Sequence, residues 1–496
     1  MDTILSNKIE QLLLTEPFTK RVIMDNNGII NLNYKYTCIS LEEFESLVVG
    51  IKNNYVEQGL SISDRVIRAK LTHYLEQRCV PYFNEVQKSI QILDEHPYIE
   101  QKSQEWLRFR KQIITGTETE KLLMKTESDE KNNKKLFDIA KSKIDLSTVL
   151  QLPNHISKSF SSAAMSHGNT YEDVSLEIYS SRYQVKVKEY GIIKSQRNTI
   201  IGASPDGVVI EANPEVYDSF RRRGRLVEVK NPYSRIIDDK IIPKYQLQML
   251  QQQFSCQLPI CDFLETTFVD LECNTYQIPP YSNINEMLND KLDTTQPNWK
   301  SIIKNKNIPY ENLNSMGNEK GYLIRFKRYR DSSNKDEEFK TEQYPLVAEY
   351  SREAIIKWKR EMISKMACEG FHNYSLKIWR LDVLDVKEFI YDSNKYQNTI
   401  IPELESHWTK IVSYKQDIID LLLKKKDEMS LKNNVFGDRD KDNLISYLTG
   451  LSYDDYHQTV DSQTLHNETY LTQNELLSNT RCRIKSEIDI DINNFL

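Results

Sequence analysis

Residues 201–230 read IGASPDGVVIEANPEVYDSFRRRGRLVEVK, and this stretch decides both the fold and the chemistry that the sequence predicts. Its Pro-Asp-Gly triplet at 205–207 is typical of a tight turn, because Pro fixes φ, Asp bonds nearby backbone and Gly accepts positive φ. The apolar runs on either side of the triplet, and the run 226–230, are short and bounded by such breakers. They therefore predict β-strands.

Three charged side chains in this stretch are expected to converge. In a strand, alternate residues share a face, so Glu228 and Lys230 point the same way about 7 Å apart. If Asp206 ends the neighbouring strand, it joins them. Two adjacent carboxylates do not both ionise readily unless a cation lies between them, and a hard divalent ion such as Mg²⁺, or Mn²⁺ in its place, meets that need and activates water. The alternative is a hairpin with a solvated Glu/Lys pair.

The order and spacing of these residues resemble a known family. Ser204-Pro-Asp-Gly stands before Glu228-Val-Lys230-Asn-Pro, and its Asp206 precedes Glu228 by 22 positions (228 − 206). This pattern resembles the phage lambda exonuclease and YqaJ-like viral recombinase family of the PD-(D/E)xK nuclease superfamily. The resemblance implies catalytic roles for Asp206, Glu228 and Lys230, with Val229 beside the two acids at the metal, and a substrate contact for Ser204.

A second motif lies upstream, where Trp106 and Arg110 precede Ile-Thr-Gly-Thr at 114–117. Thr117 and Glu120 form a capping-box pattern, so a helix is expected to start at Thr117. Its free amides, a close Gly and a nearby Arg would suit a phosphate. The family resemblance implies that Arg110 and Thr117 bind the 5′-phosphate of DNA. The alternative is an ordinary capped helix beside an Arg whose stem lies along the surface.

Two further site positions follow from the resemblance. A helix expected over 159–179 carries a G-x-x-x-E pattern ending at Glu172, which would bind metal directly or through water. The Tyr-Gln-x-Gln series that opens the next long helix supplies the glutamine that the family places beside its catalytic lysine. Gln246 fits that position best by register, and Gln248 is the second choice.

Basic residues near the acids are the remaining substrate candidates. Arg235, shortly after the Glu-Val-Lys strand, is assigned to substrate binding. Four arginines between 221 and 225 lie on an expected hairpin loop, where they could follow a DNA backbone. A solvated charge run is the equally weighted alternative. Further along, cations from Lys320 to Arg330 form a second basic cluster that could line a DNA groove.

The elements around these motifs follow the order αβββαβ. The predicted fold is therefore α/β (α+β), a PD-(D/E)xK core with a mixed central sheet flanked by helices, an N-terminal helical domain and a C-terminal extension. Four segments are expected: a mainly helical domain at 1–95, the nuclease core at 96–280, an α/β extension at 281–430 and a polar, acidic tail at 431–496. An S-x-x-E capping box at Ser40 is expected to start a helix of the first domain. An exposed loop is expected at 125–135, strands at 322–326 and 376–379, and a loosely ordered or partner-binding tail.

Composition sets the outer limits. The chain has 496 residues, 39% hydrophobic and 28% charged, which is typical of globular proteins. No apolar run approaches the length of a membrane span, and the N-terminus lacks the pattern of a signal peptide. Seven cysteines without a CxxC pair predict a reducing, intracellular compartment rather than disulfides or a zinc site. With a net charge of −6, any DNA-binding cations must be gathered on one face.

These inferences together predict a Mg²⁺-dependent deoxyribonuclease, a 5′→3′ exonuclease acting on linear double-stranded DNA in viral recombination or genome processing. The resemblance implies DNA with free ends as substrate and a single-strand annealing protein as partner, in an infected cell or virus factory. Phage members form trimeric rings, but the long additions to this chain argue against carrying that assembly over. A structure-specific endonuclease or resolvase on the same core, and a non-catalytic DNA-binding scaffold, remain the alternatives.

Overall fold

The computed structural model of the chain describes nine stretches, which are residues 39–101, 103–124, 128–149, 163–273, 320–329, 337–346, 352–371, 373–433 and 438–457. The chain divides into two compact units. The first is formed by residues up to 123 and 156–404, and the second by residues 124–155 and 405 onward. Within the described stretches, no helix combines the length and apolar character needed to span a lipid bilayer.

Helices dominate the chain before the sheet. In order they are α1 (Leu41–Glu57), α2 (Asp64–Arg78), α3 (Val80–Glu95), α4 (Gln104–Arg110), α5 (Gly116–Leu123), α6 (Asp129–Ser142) and α7 (Leu146–Val149). The Ser40 hydroxyl accepts from the N–H of Glu43 at 3.1 Å, and the Glu43 carboxylate accepts from the N–H of Ser40 at 2.6 Å. This capping box starts α1 as the sequence predicted. Residues 1–38 lie outside the described part of the chain.

The sheet-forming part alternates strands with helices. In order its elements are α8 (Ala163–Tyr183), β1 (Val185–Lys188), β2 (Ile193–Lys194), β3 (Gly202–Ala203), β4 (Gly207–Ala212), α9 (Tyr217–Phe220), β5 (Leu226–Lys230), α10 (Pro243–Cys256), β6 (Ile260–Cys273), β7 (Lys320–Tyr329), β8 (Glu337–Gln343), α11 (Arg352–Cys368), β9 (Asn373–Ile390), α12 (Ser393–Lys395), a π-helical turn (Tyr396–Ile400), α13 (Ile401–Asn433) and α14 (Asp438–Gly450).

The main sheet has seven strands in the order β1-β4-β5-β6-β9-β7-β8. Only β5 and β6 pair in parallel among these strands, and α10 makes the crossover that a parallel pair requires. The series α8-β1-β4-β5-α10-β6 is the predicted αβββαβ core, with β2 and β3 as a separate two-stranded sheet. The predicted mixed α/β fold is confirmed.

Period-two alternation assigns the two faces of this sheet. Val209, Val227 and Leu264 pack with Leu176 and Tyr179 of α8. Their neighbours Val208, Leu226 and Phe263 face the other way, into one cluster with Met249 of α10 and apolar residues of α1, α2 and α3. Glu228 and Lys230 share the parity of Leu226. The polar side chains of β5 therefore lie on the α10 side.

The C-terminal extension lengthens the same sheet. Strand β9 pairs with β6 along 14 residues of β6, from Ile260 to Cys273, and β7 then pairs with β9. The strands predicted at 322–326 and 376–379 lie inside β7 and β9. Helix α11 covers one side, where Trp358 and Met362 pack against Tyr322, Ile324 and Phe326.

The second unit has an aromatic core of its own. Phe137 of α6 is fully buried and lies 5.8 Å, between ring centroids, from Tyr414 of α13 and 5.1 Å from Tyr456. Helix α14 lies in the segment expected to be a loosely ordered or partner-binding tail, so loose order is wrong for Asp438–Gly450. Residues 458–496 lie outside the described part of the chain.

Candidate active site

The strand pairing brings Asp206, Glu228 and Lys230 together. Gly207 at the start of β4 pairs with Val227 of β5, so Asp206 lies beside Glu228. The Asp206 carboxylate accepts a hydrogen bond of 2.7 Å from the N–H of Val229. The Lys230 ammonium donates to Oε1 of Glu228, which is completely buried.

Two details of the 205–207 turn differ from the prediction. Gly207 does not adopt positive φ; it is the first residue of β4. A glycine suits this position because a Cβ there would lie 2.2 Å from a methyl group of Val187 on β1. Asp206 bonds across to β5 instead of its own turn. The side chain therefore serves the strand pair, and its carboxylate stays beside Glu228.

The electrostatics of the site oppose full ionisation. Burial raises the pKa of Asp206 well above its ordinary value, and the charges of Glu228 and Glu172 raise it further against the opposing effect of Lys230. Burial alone would lower the pKa of Lys230, but the two neighbouring acids outweigh it and hold that pKa above its ordinary value. Lys230 is therefore a fixed cation, and the site carries more acid than it can neutralise.

Helix α8 supplies Glu172, and a buried network fixes that helix to the end of β5. The side chain of Asn231 donates to the carbonyl of Gly168 at 3.2 Å. Its amide oxygen accepts from the hydroxyl of Ser175 at 2.8 Å and also from the hydroxyl of Thr266. Glu172 lies between the two anchored positions of α8, so Asn231 fixes the position of Glu172 relative to the end of β5.

The glutamine that contacts the acids is Gln252, which the sequence interpretation missed. Its amide donates to Oε2 of Glu228 at 2.6 Å and to the carbonyl of Ser204 at 3.3 Å. Gln246, the first choice, instead donates to the carbonyl of Ile241 at 2.8 Å. Gln248, the second choice, lines the neighbouring cavity and lies one turn before Gln252. Helical spacing from Gln248 was the signal that could have identified Gln252.

A small cavity lies next to this site, lined by residues that include Arg110, Thr115, Thr117, Ser204, Gln248 and Gln252. Arg110 lies over the ring of Trp106, 4.2 Å from its centroid, and its guanidinium donates to the Thr115 hydroxyl at 3.5 Å. Trp106 donates in turn to the hydroxyl of Ser204 at 3.3 Å. Arg110, Thr117 and Ser204, named separately from sequence, thus share one cavity.

The helix beside this cavity begins one residue before the predicted start, at Gly116, and its cap lies two residues earlier than predicted. Glu118, and not Glu120, accepts from the N–H of Thr115 at 2.9 Å, so Thr115 takes the capping position expected of Thr117. Gly116 is the first helical residue, and a Cβ there would lie 3.1 Å from Cγ of Gln248. The shift leaves Thr117 exposed in the first turn of α5, at the mouth of the cavity.

The arginines at 221–225 form an ion cluster inside the protein, so both interpretations of them as an exposed loop are wrong for three of the four. Arg222 and Arg225 pair with the fully buried Asp262 of β6, and Arg225 also pairs with Glu388 of β9 at 2.9 Å. Arg221 pairs with Asp218 at 2.8 Å. Burial opposes ionisation of Asp262, but Arg225 and Arg222 outweigh it and hold its pKa below the ordinary value.

Arg235 also lies away from the cavity. Its guanidinium pairs with the buried Glu265 of β6, which is also bound by Lys387 of β9 at 2.8 Å. Glu265 stands opposite Lys230 in the parallel register of β5 and β6. Arg235 is thus close to the acids in the sheet, but its guanidinium contacts the carboxylate of Glu265.

The residues at the acid site suit a hard cation. Within the described stretches, no three His, Cys, Asp or Glu side chains are placed so that they could hold a metal ion together. Glu228 is bonded to Lys230 and Gln252. The excess of buried acid at Asp206 is nevertheless what a cation would relieve. In addition, Oε1 of Gln252 is buried and has no hydrogen-bond partner among the described residues. This oxygen-rich donor set fits Mg²⁺ or Mn²⁺.

Comparison with known proteins gives the same family as the motifs. Residues 105–258 match the family model of the YqaJ-like viral recombinase domain. An uncharacterised protein of Acanthamoeba polyphaga mimivirus is 26% identical over 353 residues, which are 68% of this chain and 57% of that protein. This chain thus spans little more than half of its viral relative.

Two solved structures are also similar in part. One is an alkaline exonuclease from Laribacter hongkongensis, LHK-Exo, with 19% identity, 43% of this chain and 97% of that chain covered, and a TM-score of 0.26. The other is LHK-Exo in complex with dAMP, with 23% identity, coverages of 33% and 73%, and a TM-score of 0.25. The likeness to this family rests on the sequence match, in which residues 105–258 of this chain are similar to the YqaJ-like viral recombinase domain.

Proposed function

We propose that the chain is a Mg²⁺-dependent deoxyribonuclease that degrades linear double-stranded DNA from its 5′ ends. The observation that carries the proposal is the contact between the two halves of the site. Gln252 lines the Arg110 cavity and also donates to Glu228, and Ser204 lines the same cavity two residues before Asp206. A phosphate held by Arg110 would therefore lie next to the acids, as an enzyme that cleaves at chain ends requires.

The residues divide into a binding half and a reacting half. Arg110, held flat by Trp106, presents charged N–H donors to a terminal phosphate, and Ser204 and Thr117 add hydroxyl groups. Asp206, Glu228 and Glu172 would hold Mg²⁺, with the backbone of Val229 close by. When bound, such an ion polarises a phosphoryl oxygen and lowers the pKa of water. Lys230 keeps its proton and offsets charge that develops on the phosphate.

Contacts within the protein hold the Glu228 carboxylate in position for the reaction. Gln252 holds Glu228 from one side and Lys230 holds it from the other, so the carboxylate cannot rotate away from Asp206. Hydrolysis leaves a new 5′-phosphate on the shortened strand, which can enter the Arg110 cavity for the next cycle. The remaining strand is single-stranded DNA, suited to an annealing protein in viral recombination. LHK-Exo is likewise described as an alkaline exonuclease.

The test uses a linear duplex with a 5′-phosphate at one end only, beside a closed circle, with Mg²⁺ or with EDTA. We expect loss of DNA from the phosphorylated end with Mg²⁺ only, and an intact circle. Cutting of the circle would instead assign an endonuclease or resolvase activity to the same acids. Binding of both substrates without cleavage would leave a DNA-binding scaffold.

A further inference from the structure

Lys230 is the last residue of β5, and the position of its ammonium depends on few contacts. The side chain is 24% exposed, so it is not enclosed by protein on all sides. Within the described stretches the ammonium hydrogen-bonds to one residue, Glu228. A lysine carries its charge on a flexible four-carbon stem, which a single bond leaves free to swing. A second contact is required if the charge is to act from one place.

The acid that stands next to Lys230 in the sheet does not supply this contact. Glu265 of β6 is opposite Lys230 in the parallel register, so the two side chains share one side of the sheet. Glu265 is bound instead by Arg235 and by Lys387, the latter at 2.8 Å. The charge of Glu265 is thus matched by two other cations.

The ring of Tyr245 supplies the second contact. Tyr245 lies in the first turn of α10, and the Lys230 ammonium lies over its ring, 5.3 Å from the centroid. This distance is within the range over which the negative face of an aromatic ring attracts a cation. The Tyr245 hydroxyl makes no hydrogen bond to the described part of the chain. The ring, and not the hydroxyl, therefore carries the interaction.

The sheet holds this ring in place. Its centroid lies 5.4 Å from that of Phe263, a fully buried residue of β6 that stands opposite Glu228 in the register of β5 and β6. Tyr245 packs against the same apolar cluster that contains Phe263 and Met249. One pair of strands thus positions both groups that contact Lys230, the carboxylate directly and the ring through Phe263.

The two contacts of Lys230 differ in how a metal ion would affect them. Glu228 is one of the acids that would hold Mg²⁺, and a bound cation would compete with the ammonium for the Glu228 carboxylate. The face of an aromatic ring is no ligand for a hard ion, which takes oxygen ligands. The contact with Tyr245 is therefore the one that stays available to Lys230 when the site is filled.

We propose that Tyr245 is a positioning residue, whose ring holds the Lys230 ammonium beside Glu228 while the phosphodiester is cleaved. This inference rests on the proposed function for the reaction in which Lys230 takes part. Tyr245 acts through Lys230, because the ring fixes where the positive charge meets the phosphate. Loss of the ring should slow the reaction step and leave substrate binding unchanged.

The first test compares Tyr245→Leu with Tyr245→Phe in cleavage of linear duplex DNA with Mg²⁺. We expect Tyr245→Leu to lower kcat about tenfold at unchanged KM, because the attraction between ring and ammonium is lost. Tyr245→Phe keeps the ring and should restore kcat to within about twofold of the wild type. Wild-type kcat in Tyr245→Leu would overturn the proposal. An equal loss in Tyr245→Phe would also overturn it, by assigning the role to the hydroxyl.

Phe389→Leu is the matched control for packing. It removes another aromatic ring that packs against the same apolar cluster, and no cation of the described stretches lies over that ring. Its melting temperature should fall about as far as that of Tyr245→Leu, while its kcat stays at the wild-type value. Equal losses of kcat in the two leucine variants would overturn the proposal, because packing of the cluster would then set the rate.

A second measurement needs no cleavage. In protein labelled with carbon-13 at the lysine ε position, in EDTA, the Lys230 signal is identified by its loss in Lys230→Ala. This assignment is necessary because the Lys244 ammonium lies 4.9 Å from the same ring centroid. We expect the Tyr245 ring current to move the Lys230 signal upfield in the wild type and in Tyr245→Phe, but not in Tyr245→Leu. The shift should persist when Mg²⁺ replaces EDTA.

Absence of this shift in the wild type, or its loss on addition of Mg²⁺, would overturn the proposal. If the shift behaves as expected but the wild type does not cleave DNA, the contact between Tyr245 and Lys230 stands and the nuclease proposal fails. If the wild type cleaves and Tyr245→Leu cleaves equally well, the nuclease proposal stands and Tyr245 has no part in it.

Discussion

Asp206 shows that the acid site is organised for a ligand and not for the stability of the folded chain. Burial and two neighbouring carboxylates raise its pKa well above the ordinary value, so its ionised form at neutral pH is disfavoured by the fold. A group of this kind costs stability above its unfolded pKa, because folding there opposes the release of its proton. Such costs are typical of functional sites.

We therefore predict that Asp206→Asn abolishes cleavage and stabilises the metal-free protein. The neutral amide removes the repulsion with Glu228 and Glu172, and we expect the melting temperature in EDTA to rise by about 2–4 °C. Cleavage of linear duplex should fall at least about 10³-fold. Differential scanning fluorimetry and gel-based cleavage check the two parts. Asp239→Asn, on an exposed loop, is the control and should change neither.

Loss of activity without any rise in melting temperature would contradict the electrostatic account of Asp206.

Lys230→Ala gives the complementary result. It removes the cation that offsets the acids, so we expect both lower stability in EDTA and loss of cleavage, with binding of duplex DNA retained. Cleavage at the wild-type rate by either variant would mean that the reacting group lies elsewhere.

At this scale the sequence predicted local chemistry well and remote contacts poorly. The convergence of Asp206, Glu228 and Lys230 follows from strand alternation and one turn, which a short stretch contains. The error over Arg222 and Arg225 has a different origin. Their partner Asp262 is 37 residues from Arg225 along the chain, and no local pattern indicates that it will be buried beside them.

At the scale of elements, α10 joins the two halves of the site through consecutive glutamines. Gln252 faces Glu228, whereas Gln251 is fully buried and donates to the carbonyls of Ile114 and Gly202 at 2.7 and 2.8 Å. Gln251 thereby holds the strand segment before α5 against β3. One side chain of the helix contacts the acid site, and its neighbour contributes to packing.

We predict that alanine substitutions at these two positions separate catalysis from stability. Gln252→Ala removes a donor from Glu228 and should lower kcat about tenfold with a small change in melting temperature. Gln251→Ala removes a side-chain donor from two buried carbonyls, of which that of Ile114 still accepts from the N–H of Gly202. It should lower the free energy of unfolding by about 2 kcal/mol. Urea unfolding and single-turnover cleavage measure the two effects. Equal effects of both variants on kcat would contradict this division.

A second element-scale prediction concerns Asn231, which fixes α8 to β5. Asn231→Ala should weaken Mn²⁺ binding about 10–100-fold, because Glu172 is no longer held in position relative to β5. A loss of this size is expected when a residue that orients a metal ligand is removed. Titration calorimetry with Mn²⁺, without DNA, measures this directly.

The matched control for Asn231→Ala is Thr267→Val. It removes another buried hydrogen bond of β6, the 3.1 Å bond to Asp382, without touching α8. Thr267→Val should lower stability and leave Mn²⁺ affinity unchanged. Equal losses of Mn²⁺ affinity in both variants would assign Asn231 a general packing role.

Element boundaries were predictable only where one capping pattern was available. Ser40 starts α1 as expected, but the stretch 115–120 holds two overlapping cap patterns, and the tertiary contact of Gly116 with Gln248 favours the earlier one. The charged stretch before Lys135, expected as a loop, begins α6 at Asp129 behind a Ser128 cap. The repeated glutamines of α10 likewise left open which of them contacts Glu228.

At the scale of the whole molecule, the second unit is held together by aromatic packing around Phe137. We predict that Phe137→Ala lowers the stability of this unit by about 3–5 kcal/mol, the usual cost of removing a buried phenylalanine. Hydrogen exchange read by mass spectrometry should show lost protection in α6 and α14. Mn²⁺ binding by the acid site should persist. Equal loss of protection in β5 and α10 would show that the two units unfold together.

The buried arginine cluster limits how far the segment 105–258 can be treated as an independent module. Arg221, Arg222 and Arg225 lie within the family segment 105–258, but Asp262 and Glu388 lie outside it. A chain trimmed to that segment would strand guanidinium groups in an apolar interior, at a cost that buried, unpaired charges always carry. The segment 105–258 therefore depends on the rest of the sheet for its charge balance, and any shortened chain that keeps these ion pairs must reach past Glu388.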